Sequence, residues 1–136
     1  MIKLLTAIAL STGALIANAN AQDLTGDAAA GEKVFNRCKA CHAVGEGAKN
    51  KVGPELNDLF GRKPGSHEDF KYSDAMIAYG EDKVWDVEHL TAYLAAPRKV
   101  VKGTKMAFAG LKKEEQIADV LAYLATFDPD GAKTGE

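Results

Sequence analysis

The sequence predicts an all-α domain, and three observations point to it. Three stretches repeat apolar residues at the helical period and are bounded by capping or breaking residues. No stretch sustains the apolar–polar alternation of a half-buried strand. No internal repeat divides the 136 residues, which amount to one domain.

Residues 1–21 read as a segment apart from that domain. Lys3 supplies a positive start, Leu4 to Ile16 form an apolar stretch, and Ala19-Asn20-Ala21 has the small-x-small pattern of a cleavage site. Together these predict a secretory signal peptide cut after Ala21. The apolar run is shorter than the roughly 20 residues a bilayer span requires. The expected mature domain is 22–136, exported and about 115 residues long.

The first helix is expected from an Asp27 N-cap to about Lys39, with Val34, Phe35 and Cys38 on one face. Gly31 lies on that face one turn before Phe35. Glycine inside a helix costs roughly 1 kcal/mol against alanine, so Gly31 suggests that another backbone passes close by. A long, Gly-rich, charged segment follows from Val44 to Lys83, with room for a short helix around Ser73 to Tyr79. Such a loop needs a reason inside a compact domain, and wrapping a large bound group supplies one. The second helix runs from the Asp86 N-cap to about Ala96 and is stopped by Pro97. The third begins near Lys113 and carries the stripe Ile117, Val120, Leu121, Leu124 and Phe127, with Glu114 and Glu115 suiting the dipole of its first turn. Asp128-Pro129 ends it, and 128–136 is expected to be a loose tail.

Removing Lys3 with the signal leaves 16 basic side chains against 19 acidic ones, a formal charge of −3. That balance argues against a nucleic-acid binder. The charges are segregated. Arg98, Lys99, Lys102, Lys105, Lys112 and Lys113 cluster with no acid among them, whereas seven acids between Ser66 and Leu90 face only Lys71 and Lys83.

The two cysteines stand in Cys38-Lys39-Ala40-Cys41, followed directly by His42. A disulfide across two residues at a helix end would staple almost nothing. Zinc would lack a fourth ligand, since neither His67 nor His89 has a companion nearby. A thioredoxin-like redox pair would need a preceding strand. Covalent haem attachment is what Cys-x-x-Cys-His ordinarily means: each thiol adds to a porphyrin vinyl group, and the adjacent imidazole is directed at the iron. An electron carrier usually gives its iron a second protein ligand. Met106, in a non-periodic loop between Gly103 and Gly110, is favoured over Met76, for which core filling in a short helix is the simpler role. A Met/His pair raises the potential relative to two histidines and leaves no open site for oxygen or peroxide.

Gly31-Glu32-Lys33-Val34-Phe35, Cys38 to His42, Gly53-Pro54, Phe60-Gly61-Arg62, Gly103-Thr104-Lys105-Met106 and Ala122-Tyr123-Leu124 occur in an order that resembles the class I cytochromes c, bacterial cytochromes c2 and mitochondrial cytochrome c among them. The resemblance covers nearly the whole expected mature chain. It implies crossed N- and C-terminal helices with Gly31 and Phe35 against Val120 and Tyr123, and long loops wrapping one haem c. It also implies that Pro54 offers its carbonyl to His42, and that Arg62, Tyr72 and Trp85 hold a haem propionate. Tyr93 and Thr104 would form a hydrogen-bonding pair on the methionine side, with Phe108 over the haem edge. Two departures stand out. Met76 occupies a position where the mitochondrial pattern has Asn, and the segment before Trp85 is about two residues longer.

The function so implied is that of a monomeric periplasmic electron carrier. Lys39, Lys99, Lys102, Lys105, Lys112 and Lys113 would ring the haem edge. They would meet acidic surfaces of partners such as a quinol–cytochrome c oxidoreductase and a terminal oxidase or reaction centre, with at most peripheral membrane contact. A peroxidase-like enzyme would instead need a vacant iron position, and a haem-based sensor an exchangeable ligand.

Overall fold

The computed structural model describes residues 24–134; the expected signal peptide lies outside them. Five α-helices are present: α1 (Ala28–Phe35), α2 (Asp74–Tyr79), α3 (Val87–Ala95), α4 (Pro97–Val100) and α5 (Glu114–Leu124). Among the described residues the only β pairing is an isolated bridge between Phe127 and Lys133. No helix among them is long and apolar enough to cross a membrane.

Local capping starts three of the helices. Asp27 accepts from the Ala30 N–H, Ser73 from Met76 and Asp86 from His89, each satisfying an amide that has no partner within its helix. α1 is shorter than the periodicity predicts. It ends at Phe35, and the chain continues in hydrogen-bonded turns in which the Cys41 and His42 amides both donate to the Cys38 carbonyl, at 3.1 and 2.9 Å. Pro97 does stop α3, and it then opens α4 from the first helical position, where its missing N–H costs nothing.

α1 packs on α5 with Gly31 at the contact. A Cβ there would collide with the Asp119 carbonyl and lie 2.8 Å from the Tyr123 Cβ. The Asp27 amide donates to the Asp119 carboxylate at 2.8 Å, tying the start of α1 to the same place on α5. Phe35 meets Tyr123 at 5.5 Å between ring centroids, and Tyr123 meets Phe127 edge-on at 5.1 Å. Val120 and Leu121 of α5 are each 1% exposed; burial of one such side chain is worth about 1.5–3 kcal/mol. The 101–113 loop returns over α3, with the Leu111 amide on the Leu94 carbonyl at 2.8 Å.

The end of the chain departs from expectation. Residues 128–134 fold back rather than trailing loose. The Asp128 carboxylate accepts from the Asp130 and Ala132 amides, and the Thr134 amide donates to the Thr126 carbonyl at 2.6 Å. Asp128-Pro129-Asp130-Gly131 is turn chemistry, with Gly131 at φ +81°.

Gly31→Ala tests the helix contact. Helix propensity alone favours alanine by about 1 kcal/mol, yet the intact protein should lose roughly 1–3 kcal/mol because two backbones must separate. An unchanged or higher urea midpoint would show that α1 and α5 do not approach this closely.

Candidate haem-binding site

A cavity of about 380 Å³ lies at the centre of the fold, within the range of sites for sizeable organic ligands. Cys38, Cys41, His42, Pro54, Arg62, Tyr72, Trp85, Tyr93, Thr104, Met106 and Phe108 all line it. The rest of its wall is largely apolar, including Phe35, Leu59, Leu90 and Leu124.

The turns after α1 present the two thiols, both free and partly buried, together with His42. Burial raises the Cys38 pKa, against the opposing pull of Arg37, so its sulfur rests as a thiol. The His42 ring is held from two directions. Its Nδ1 lies 2.7 Å from the Pro54 carbonyl oxygen, which can only accept, so Nδ1 carries the proton and Nε2 keeps a lone pair. On the other side Gly53 leaves room for the ring, since a Cβ there would lie 2.8 Å from Nδ1. Burial lowers the His42 pKa; the Pro54 bond opposes this, and the Lys51 and Arg62 charges add to it. The imidazole is thus neutral near pH 7, the form that ligates a metal.

Met106 comes from the loop between α4 and α5. Thr104 organises that loop: its Oγ1 lies 2.7 Å from the Tyr93 hydroxyl on α3 and accepts from the Met106 amide at 3.3 Å. Met76 on α2 is 7% exposed, belongs to the core and lines the same cavity. Phe108 has the Arg37 guanidinium 5.6 Å from its ring centroid, a cation–π contact beside the cysteines.

On another side of the cavity Trp85 stacks between Tyr79 and Tyr93, at 5.8 and 5.2 Å. Arg62 donates to the backbone carbonyls of Glu55 (2.9 Å) and Asn57 (2.5 Å) and stands beside Tyr72. Sequence reasoning missed what surrounds Arg62. The Glu55 carboxylate lies 3.7 Å from its guanidinium and 2.9 Å from His67 Nε2. Asn57 is buried and clamps Gly45 through both of its amide groups, at 2.9 Å each. No spacing rule signals either role; Glu55 stands out only as a carboxylate beside Pro54.

These residues fit haem c. They supply two thiols, a neutral imidazole with a free lone pair, a thioether, a guanidinium with neighbouring polar groups, and an apolar wall for a macrocycle.

Comparison with known proteins agrees. The Cytochrome c family model matches residues 28–128. Cytochrome c2 of Afifella marina is 61% identical over 104 residues, covering 76% of this chain and 84% of that protein. Cytochrome c-550 of Ancylobacter novellus is 56% identical over 106 residues, covering 77% and 99%. Among solved structures, cytochrome c2 from Rhodospirillum centenum superposes with a TM-score of 0.71 at 42% identity, covering 76% of this chain and all of that one. Cytochrome cH from Methylobacterium extorquens gives 0.68 at 44%, covering 74% and 99%. The chain therefore belongs to the cytochrome c family, electron-transfer proteins that carry covalently bound haem c and are not enzymes.

Proposed function

We propose that this protein is an exported, monomeric one-electron carrier of the periplasm whose haem iron is ligated axially by His42 and Met106. Export rests on the signal peptide expected at 1–21, with 22–136 as the mature domain. The bound haem supplies the ferric–ferrous couple; the chain's own residues fix its surroundings. The observation that carries this proposal is that His42 and Met106, from two separate loops, line one cavity with Cys38 and Cys41. Each is held in advance, His42 by the Pro54 carbonyl and the Met106 loop by the Tyr93–Thr104 pair. Ligands fixed before the electron arrives need little rearrangement when it does. A thioether opposite an imidazole places the potential above that of a bis-histidine site. Arg62, with Tyr72 and Trp85 beside it, is placed to neutralise a carboxylate of the cofactor.

The proposed docking surface is basic. Lys39, Lys99, Lys102, Lys105, Lys112 and Lys113 are exposed, and among the described residues none has an acidic partner at ion-pair distance. The Lys105 and Lys112 ammonium groups donate instead to the backbone carbonyls of Lys71 and Ala109. Their charges remain available to steer the protein toward acidic surfaces, which raises encounter rate more than affinity. A quinol–cytochrome c oxidoreductase as donor and a terminal oxidase or photosynthetic reaction centre as acceptor suit this chemistry. Val52, 77% exposed and on the cavity wall, adds an apolar contact.

Met106→Ala should abolish the long-wavelength absorption band of sulfur bound to ferric iron and lower the reduction potential. Met76→Ala should keep the band and lose about 2–5 kcal/mol of stability through the hole it leaves. An unchanged spectrum in Met106→Ala would assign the sixth ligand elsewhere.

Association with a quinol–cytochrome c oxidoreductase, followed by stopped-flow, should slow steeply as salt rises. Reversing Lys112 and Lys113 to Glu should slow it about tenfold at low ionic strength. Rates indifferent to salt would remove the lysine surface from the docking model.

A further inference from the structure

The Glu55 carboxylate sits between two cationic or potentially cationic groups, one facing the haem cavity and the other facing water. Its Oε1 is 2.9 Å from His67 Nε2 and 3.7 Å from the Arg62 guanidinium, while its Oε2 accepts from the Asn57 amide at 2.6 Å. All three side chains are largely withdrawn from solvent, with exposures of 14% for Glu55, 24% for His67 and 11% for Arg62. Arg62 lines the haem cavity. The same three residues also line a second cavity of about 370 Å³, with Asn57, Asp58, Phe60, Gly61 and Pro129, which is open to solvent on the outer side. The guanidinium is thus shared between the haem side and Glu55, and the imidazole on the far side of Glu55 can exchange protons with water.

We propose that His67 and Glu55 form a proton-responsive pair that sets how much of the Arg62 charge reaches the haem, so that the reduction potential falls as pH rises and electron uptake is accompanied by proton uptake at His67. This rests on the haem-carrier function proposed above and concerns the regulation of that site. With His67 protonated, the imidazolium engages Glu55 and leaves the Arg62 charge free to stabilise the ferrous state, which carries one positive charge fewer than the ferric. When His67 loses its proton, Glu55 compensates Arg62 alone and the ferric state gains. The chemistry balances as one electron from the donor protein onto the iron and, over part of the pH range, one proton from water onto His67. Thermodynamic reciprocity requires that reduction strengthen proton binding if protonation favours reduction. Histidine titrates between about pH 5 and 8, the range in which such a carrier works. The other charged or titratable groups nearby are Tyr72, beside both Arg62 and the His67 backbone; Asp58, on the wall of the outer cavity; and Lys63, Glu68 and Asp69, all exposed on the loop that bears His67.

The test is a series of potentiometric titrations of the intact haem-loaded protein between pH 5 and 8, on the wild type, His67→Gln and Glu55→Gln. The wild-type potential should fall across this range by the equivalent of a roughly fivefold change in the equilibrium between oxidation states. His67→Gln keeps a hydrogen-bond donor toward Glu55 but cannot titrate, and should flatten the curve while leaving the absorption spectrum unchanged. Glu55→Gln should raise the potential most at the alkaline end. A His67→Gln curve parallel to the wild type would overturn the proposal, because a purely structural contact moves the potential equally at every pH. NMR titration of the His67 imidazole in the wild type gives a check that needs no variant. Its midpoint should lie at higher pH in the reduced than in the oxidised protein, and coincident curves would overturn the proposal. Failure of the carrier function itself would look different, as a protein with no six-coordinate haem spectrum.

Discussion

At the contact of α1 with α5 the space of a single absent side chain lets two backbones touch, and the rest of the molecule is built outward from that point. Gly31 meets the Asp119 carbonyl, and Asp27 is bonded to the Asp119 carboxylate, so the register of α1 on α5 is held at two levels. One turn after Gly31, Phe35 seats on Tyr123. The turns that follow then carry Cys38, Cys41 and His42 onto the wall of the cavity, which Val120 and Leu124 of α5 also line. A shift of one residue along α5 would move the thiols and the imidazole together.

Around the cavity the ligand-bearing loops have few regular hydrogen bonds of their own, and side chains and tight turns supply the rigidity. His42 is fixed by a backbone carbonyl and by the missing Cβ of Gly53. Met106 depends on Thr104, and Thr104 on Tyr93 of α3. Gly110, at φ +106°, lies where any Cβ would strike the Ala95 carbonyl, which keeps the returning loop tight against the end of α3. The two sides of the cavity thus hang from different helices that share one core, α1 and α3 both resting on α5.

Electrostatics divides the molecule in a complementary way. The exposed lysines lack acidic partners and remain available for another surface, whereas Arg62 is almost wholly engaged by the chain itself. Long-range steering belongs to exposed charges that salt can screen. The environment of the redox centre belongs to buried charges that salt screens far less. Separating these roles lets one protein meet several acidic partners without altering the state of its cofactor on each encounter.

Much of this was legible in the sequence because it is written locally. Asp27, Ser73 and Asp86 cap amides three residues away, the α5 stripe repeats within one helix, and Cys38 to His42 is a pattern of five adjacent residues. Gly31 signalled a close approach because glycine is costly in a helix. Tertiary structure alone decided the rest. It ended α1 at Phe35 in favour of tighter turns, and it folded 128–134 back onto Thr126. It also joined Glu55, Arg62 and His67, which come together only because the loops between them turn back on themselves. Caps and periods depend on neighbours a turn apart, which any reader of the chain can see. Contacts between loops depend on where the core lets the backbone go, and that is fixed only once the helices have packed.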